Sequence, residues 1–294
     1  MTAKNWFRFI LMCIFWGTNY LWNRIIVVNI GPFMLVFFRV LLAFFTIFFY
    51  VVISKTRIVL TWKKVGIYLV LGFFYVTLPF LAASWAQQSI TSGMAGIISS
   101  TNPLFALLLA TIFLPQERIS GLRAVGLLIG FLGAVILASS GLTNGQSGNS
   151  LSGILVMLVS SISYAVALVF TRATAQGMDE KEQSLGQISF ALITITMATL
   201  LFESQWRLPS RPIIWIGVVS LGILYTGAGT ILWFALLNSA GVMYASLVSY
   251  VAPVIAVILG VLILAEKFTW QLLVGGALVL CGVMWVNSCD TQKT

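Results

Sequence analysis

Histidine is absent from this sequence, and charged side chains make up only 8% of its 294 residues. Soluble domains carry near 25% charge, so the chain lacks the polar coat that a water-facing surface requires. The missing histidine removes the commonest metal ligand and the side chain that titrates at physiological pH. Cys13, Cys281 and Cys289 have neither the density of a disulfide framework nor a metal-binding spacing. The seven acidic residues, Glu117, Asp179, Glu180, Glu182, Glu203, Glu266 and Asp290, all fall at the ends of apolar runs or between them. Soluble enzymes, nucleic-acid binders and secreted scaffolds are thereby excluded. No cofactor and no metal site is expected.

What the chain has is apolar length, with 60% hydrophobic residues. A membrane-spanning helix uses about 20 such residues. Runs between charges and turns predict ten spans, at 6–28, 32–53, 65–86, 91–114, 122–141, 151–171, 184–203, 212–236, 240–264 and 269–288. The first is no cleaved signal, because Trp16, Asn19, Asn23 and Arg24 stand where a small-residue cleavage site belongs. Nothing alternates in polarity as barrel strands do. The expected fold is an all-α, multi-pass integral membrane protein of ten transmembrane helices.

The net charge of +9 reads as a loop bias, not a nucleic-acid footprint. With the N-terminus inside, the inner loops hold Lys4, Arg8, Lys55, Arg57, Lys63, Lys64, Arg118, Arg123, Arg172, Lys181 and Lys293. The outer loops hold only Arg24, Arg207, Arg211 and Lys267, and Arg39 lies within the second span. The bias predicts that both termini are cytoplasmic, in the inner membrane if the host is bacterial.

The sequence also matches itself at an offset near 150. Trp16-Gly17 and Arg24 pair with Tyr164-Ala165 and Arg172; Tyr75, Ser89, Ala95 and Pro103 pair with Tyr225, Ser239, Ala245 and Pro253. Glu117-Arg118, Gly126 and Gly133 pair with Glu266-Lys267, Gly275 and Gly282. This predicts two five-helix repeats, 1–145 and 146–294. Five is odd, so the repeats insert with opposite topologies, an architecture of secondary transporters with the substrate site near the midplane.

These same residues carry a resemblance. The Trp16-Gly17-Thr18-Asn19 start, the Pro32 to Arg39 entry to span two, and the block from Gly93 to Ser120 with its second-half counterpart ending at Trp270 resemble the EamA family of the drug/metabolite transporter superfamily. The resemblance covers nearly the whole chain. It implies ten helices, cytoplasmic termini and transport of small organic solutes, often outward and often amino acids or related metabolites. One departure is that the position matching Arg39 falls near Gln187, so any role of that arginine is not duplicated.

Polar groups inside the membrane locate the candidate site, since each must find a partner without water. Trp16, Asn19, Tyr20 and Asn23 fall on one helical face and read either as a cavity wall or as interhelical glue. Tyr164, with Ser160 and Ser163, makes a thinner counterpart. Pro79, Pro103 and Pro253 each free a carbonyl four residues earlier, those of Tyr75, Ser99 and Ser249, and act as solute contacts or as hinges. Tyr75, Tyr225, Trp233, Tyr244 and Tyr250 lie deeper than interface anchoring explains. Thr226, Thr230 and Trp233 share one face, as do Ser246, Ser249 and Tyr250. Arg39, roughly 10 Å into the bilayer at 1.5 Å per residue, either meets a substrate carboxylate, snorkels outward or locks onto carbonyls of a neighbouring helix. The predicted binding set is Trp16, Asn19, Tyr20, Arg39, Tyr75, Ser99, Tyr164, Trp233, Ser249 and Tyr250, with hinges at Pro79, Pro103 and Pro253.

Gly126, Gly130 and Ala134, with Gly275 and Gly282, read as close-approach positions supporting the bundle or a homodimer contact. Glu117 and Glu266 read as local ion pairs with Arg118 and Lys267, or as gating contacts. No intramembrane acid serves a proton relay and no ATP-binding loop is present, so exchange or facilitated diffusion is the simplest energetics. The expected partners are a small-molecule solute and membrane lipid. An intramembrane enzyme lacks a nucleophile with a base; a non-catalytic subunit of a larger complex and a phosphorylated-sugar exchanger are the competing readings.

Overall fold

Helix starts follow from local chemistry. Proline occupies the first helical position after Gly31 and after Arg211, where its missing N–H costs nothing. Thr61, Thr91, Ser120, Ser150 and Asp179 supply side-chain caps to the helices they precede. Gly31 and Gly241 turn the chain at φ of 79° and 84°, the left-handed region that glycine enters without a Cβ penalty.

The computed structural model describes residues 2–114, 120–142, 149–203 and 208–288. Glu117, Arg118, Trp206, Arg207, Cys289, Asp290 and Lys293 lie outside them. Ten helices run in order: α1 (Ala3–Ile30), α2 (Pro32–Ile53), α3 (Trp62–Ala86), α4 (Ser92–Phe113), α5 (Gly121–Leu142), α6 (Leu151–Thr174), α7 (Glu180–Phe202), α8 (Pro212–Ala240), α9 (Tyr244–Leu264) and α10 (Trp270–Ser288). Among the described residues nine of them, α2 to α10, are long and apolar enough to cross a membrane. The other, α1, is the longest but one, at 28 residues, yet its apolar run is broken by Asn19, Tyr20, Asn23 and Arg24. The count of ten expected spans therefore holds only approximately by composition. Each expected span nonetheless coincides with one helix. Large apolar side chains such as Leu128, Leu132 and Val135 on α5 stay exposed, as a lipid-facing surface requires.

Hydrogen bonds fix the two ends of the bundle. At one end Arg8 of α1 donates to Ser239 Oγ at 2.8 Å, and Asn238 of α8 donates to Glu180 of α7. At the other, Arg24 of α1 donates to the Gln87 carbonyl, and Ser150 before α6 bonds Ser89 after α3. Thus α1 starts at the Arg8 end and α6 starts at the Arg24 end; the two halves run in opposite directions.

Packing obeys the same exchange. Helices α2 and α7, α4 and α9, and α5 and α10 pack in pairs. The other large contacts come as mates: α1 on α9 with α6 on α4, α3 on α6 with α8 on α1, and α2 on α8 with α7 on α3. Swapping the halves turns each of these contacts into another of them.

Two irregularities repeat as well. In α3 the turn widens to a π-helix over Gly72–Thr77, and in α8 over Ser220–Ala228. Pro79 follows the first, but no proline lies near the second. Helices α4 and α9 are interrupted, at Ser100–Thr101 just before Pro103 and at Leu247 six residues before Pro253.

The small residues of α5 and α10 are consumed within the chain. A Cβ on Gly133 would stand 2.6 Å from the Gly275 carbonyl, and one on Gly275 2.9 Å from the Gly133 carbonyl. Backbone cannot move aside as a side chain can. Gly133→Ala is therefore expected to destabilise the protein by about 1–3 kcal/mol, as overpacking does, and to lower its melting temperature in detergent. Gly121→Ala meets nothing within 4 Å and should leave that temperature unchanged or raised.

Candidate functional site

The wide turns bring a cluster of polar side chains to one place. Arg39 on α2 is 8% exposed. Its Nε donates to Thr226 Oγ1 at 2.7 Å, and its guanidinium carbon lies 3.9 Å from the centroid of the Phe80 ring. Thr226 sits inside the π segment of α8, and its hydroxyl donates to the Leu221 carbonyl five residues back at 2.8 Å. In α3 Thr77 does the same to Gly72 at 3.1 Å and meets Thr194 at 2.7 Å. Each π turn thus satisfies a displaced carbonyl with its own threonine, but only one of the two threonines faces an arginine.

Gln187 is the packing counterpart of Arg39. A Cβ on Gly222 would stand 3.0 Å from the Arg39 carbonyl, and one on Gly72 2.7 Å from the Gln187 carbonyl. The site is therefore asymmetric in charge within a symmetric frame. Arg39 does not snorkel; Thr226 and Phe80 hold it inward, and among the described residues it has no carboxylate partner.

Two phenols stand near the guanidinium. Tyr20 and Tyr164 are close enough to interact with its charge, and Ser99 lies beside Tyr20. The Tyr75 and Tyr164 rings meet edge to face at 5.4 Å. The structure therefore gathers Tyr20, Arg39, Tyr75, Ser99 and Tyr164 from α1, α2, α3, α4 and α6. Phe80 and Thr226 complete the shell.

The serines of α6 bond backbone carbonyls beside the irregular stretches of α3 and α4. Ser163 donates to Phe74 at 2.8 Å, Ser160 to Pro79 at 3.0 Å and Ser161 to Ile98 at 3.1 Å. A straight-helix count places the freed carbonyls on Tyr75 and Ser99. The serines instead reach Phe74 and Ile98, one residue earlier, where the wide turn and the break shift the register.

Other predicted residues lie apart from this cluster. Trp16 and Trp233 stack on each other, centroids 5.0 Å apart, within an apolar group that includes Met12, Leu236 and Val248. Tyr250 turns to α10, accepting from Asn287 and reaching the Val283 carbonyl at 3.5 Å. Ser249 is half-buried beside it. Asn23 forms a closed network: it donates to Gln87 Oε1 and accepts from Ser84 at 3.0 Å, while Gln87 Nε2 donates to the Tyr20 carbonyl at 2.8 Å. Asn19, one turn earlier, has a buried Oδ1 with no hydrogen-bond partner. Gln87 escaped sequence reading because a lone glutamine near a span end carries no periodic signal.

Glu266 makes a long reach across the chain. Glu266 accepts from Ser92 N at 2.7 Å, Ser92 Oγ at 2.9 Å and Gly93 N at 3.2 Å, satisfying the first N–H groups of α4 across the repeat boundary. Its counterpart Glu117 lies outside the described residues.

Known proteins share this architecture. The profile of the EamA-like transporter family matches twice, over residues 6–139 and 151–288. The chain belongs to the EamA-like transporter family. It is 28% identical over 280 residues to an uncharacterized transporter of Archaeoglobus fulgidus, covering 95% of this chain and 97% of that protein. It is 24% identical over 295 residues to a Salmonella typhimurium protein named probable amino-acid metabolite efflux pump, covering 98% and 95% respectively. A crystal structure at 19% identity superposes with a TM-score of 0.66 over 98% of this chain and 99% of that one, which shows the shared fold. The protein is a multi-pass membrane transporter.

Asn19 and Asn23 separate the two roles an intramembrane amide can take. Asn23→Ala strands Ser84 and Gln87 and should lower stability by about 1–3 kcal/mol, seen as a reduced melting temperature in detergent. Asn19→Ala removes no bond and should leave that temperature near wild type while impairing solute flux in proteoliposomes.

Proposed function

We propose that the protein is a secondary exporter of small carboxylate-bearing organic solutes, amino acids or related metabolites, working by alternating access around Arg39. The observation that carries this reading is a buried guanidinium with no carboxylate partner among the described residues. A charge near the bilayer centre costs about 2.5–3.5 kcal/mol on insertion scales, and Thr226 engages only Nε. The guanidinium carries five N–H donors, so its two terminal nitrogens can take a carboxylate in the bidentate geometry that fits it best.

Tyr20, Tyr75 and Tyr164 would flank the solute's apolar part, with Ser99 and the free Asn19 oxygen available to its polar groups. A single guanidinium suits a monoanionic carboxylate better than a phosphorylated sugar, which calls for several cations. The name of the Salmonella relative agrees with this choice. The wide turns of α3 and α8 and the breaks near Pro103 and Pro253 lie where two inverted halves would rock. With no acid placed in the cluster, exchange or movement down the solute gradient supplies the energy. On the Lys and Arg count, the Arg8 end faces the cytoplasm.

Efflux of L-leucine from proteoliposomes tests the site. Arg39→Gln should reduce the rate at least about tenfold, the weight of one charge-assisted hydrogen bond, with insertion and melting temperature preserved. Arg39→Lys keeps the charge but loses the planar fork and should fall between. Wild-type rates in Arg39→Gln would refute the assignment.

A further inference from the structure

A cavity of about 120 Å³ lies at the Arg8 end between α2, α7 and α8. Its wall includes Tyr50, Glu180, Lys181, Ser184, Thr230 and Asn238. Two opposite charges line it without neutralising each other. Glu180 accepts from Asn238 Nδ2 at 3.0 Å, and the Lys181 ammonium lies 5.3 Å from the centroid of the Tyr50 ring. Neither is in an ion pair among the described residues, where the next acid along, Glu182, takes Lys64 at 2.7 Å. Adjacent helical residues point about 100° apart and do not face one another, so the carboxylate and the ammonium present themselves to the cavity from different directions.

The cavity shares α2 and α8 with the central cluster. Ile47 in its wall is eight residues from Arg39 on α2, about 12 Å at 1.5 Å per residue. Thr230 donates to the Thr226 carbonyl at 2.6 Å, and Thr226 accepts from Arg39. On α8, Thr226 therefore stands between the cavity wall and the guanidinium.

We propose that this cavity is a loading site for zwitterionic amino acids, in which Glu180 reads the solute's ammonium and Lys181 its carboxylate before the solute passes to Arg39. A zwitterion is the solute class that satisfies both charges at once, and a solute with one charge leaves the other unpaired. The assignment rests on the carrier reading above and narrows its substrate to molecules bearing both groups.

Saturation-transfer NMR on the full-length protein in detergent tests it, with L-leucine, leucinamide and N-acetylleucine as probes. With Arg39→Gln removing the central site, L-leucine should still give a binding signal. Adding Glu180→Gln and Lys181→Gln should cut that signal at least fivefold. In the same Arg39→Gln background, Lys181→Gln should weaken N-acetylleucine and spare leucinamide, and Glu180→Gln should do the reverse. A wild-type protein silent to L-leucine, a signal erased by Arg39→Gln alone, or a signal kept in the triple variant would each overturn the loading site. Full transport by Arg39→Gln with the cavity signal intact would sink the central site and leave this one standing.

Discussion

A bilayer interior offers no hydrogen bond to a stray backbone group, and the rest of this structure follows from that. Any departure from regular helix must be closed by side chains of the same protein. Here the departures are paired. Thr77 and Thr226 close the wide turns of α3 and α8, and Ser160, Ser161 and Ser163 close the carbonyls beside the breaks in α3 and α4. The irregular stretches can exist because α6 and the threonines complete them, and it is at these stretches that Arg39, Tyr20, Tyr75 and Tyr164 come together.

Symmetry sets the frame and charge breaks it. The same backbone approach that places Gly222 on Arg39 places Gly72 on Gln187. One half therefore brings a cation to this approach and the other an amide. The tight α5–α10 contact, backbone against backbone at Gly133 and Gly275, couples the halves at the edge of the bundle, away from that approach.

Much of this was legible in the sequence. Span limits such as 32–53 coincide with the helix Pro32–Ile53, because prolines, caps and charges punctuate apolar runs clearly. The repeat was legible because glycines and prolines at conserved spacing have few alternatives. Arg39, Tyr20, Tyr75, Ser99 and Tyr164 were named, but so were Tyr250 and Trp233, which meet α10 and Trp16 instead. Helical periodicity gives the face a residue occupies and not the neighbour that face meets. The π turn of α8 left no mark, since no proline announces it, and the one-residue shift at Phe74 followed from missing the π turn of α3.

The central claim is that a solute carboxylate completes Arg39. An experimental structure of the protein with bound L-leucine tests it most directly. The account predicts the solute's carboxylate oxygens at about 2.7–2.9 Å from the terminal guanidinium nitrogens of Arg39, with the tyrosines around its side chain. A solute seated elsewhere, with Arg39 held only by Thr226 and Phe80, would contradict it.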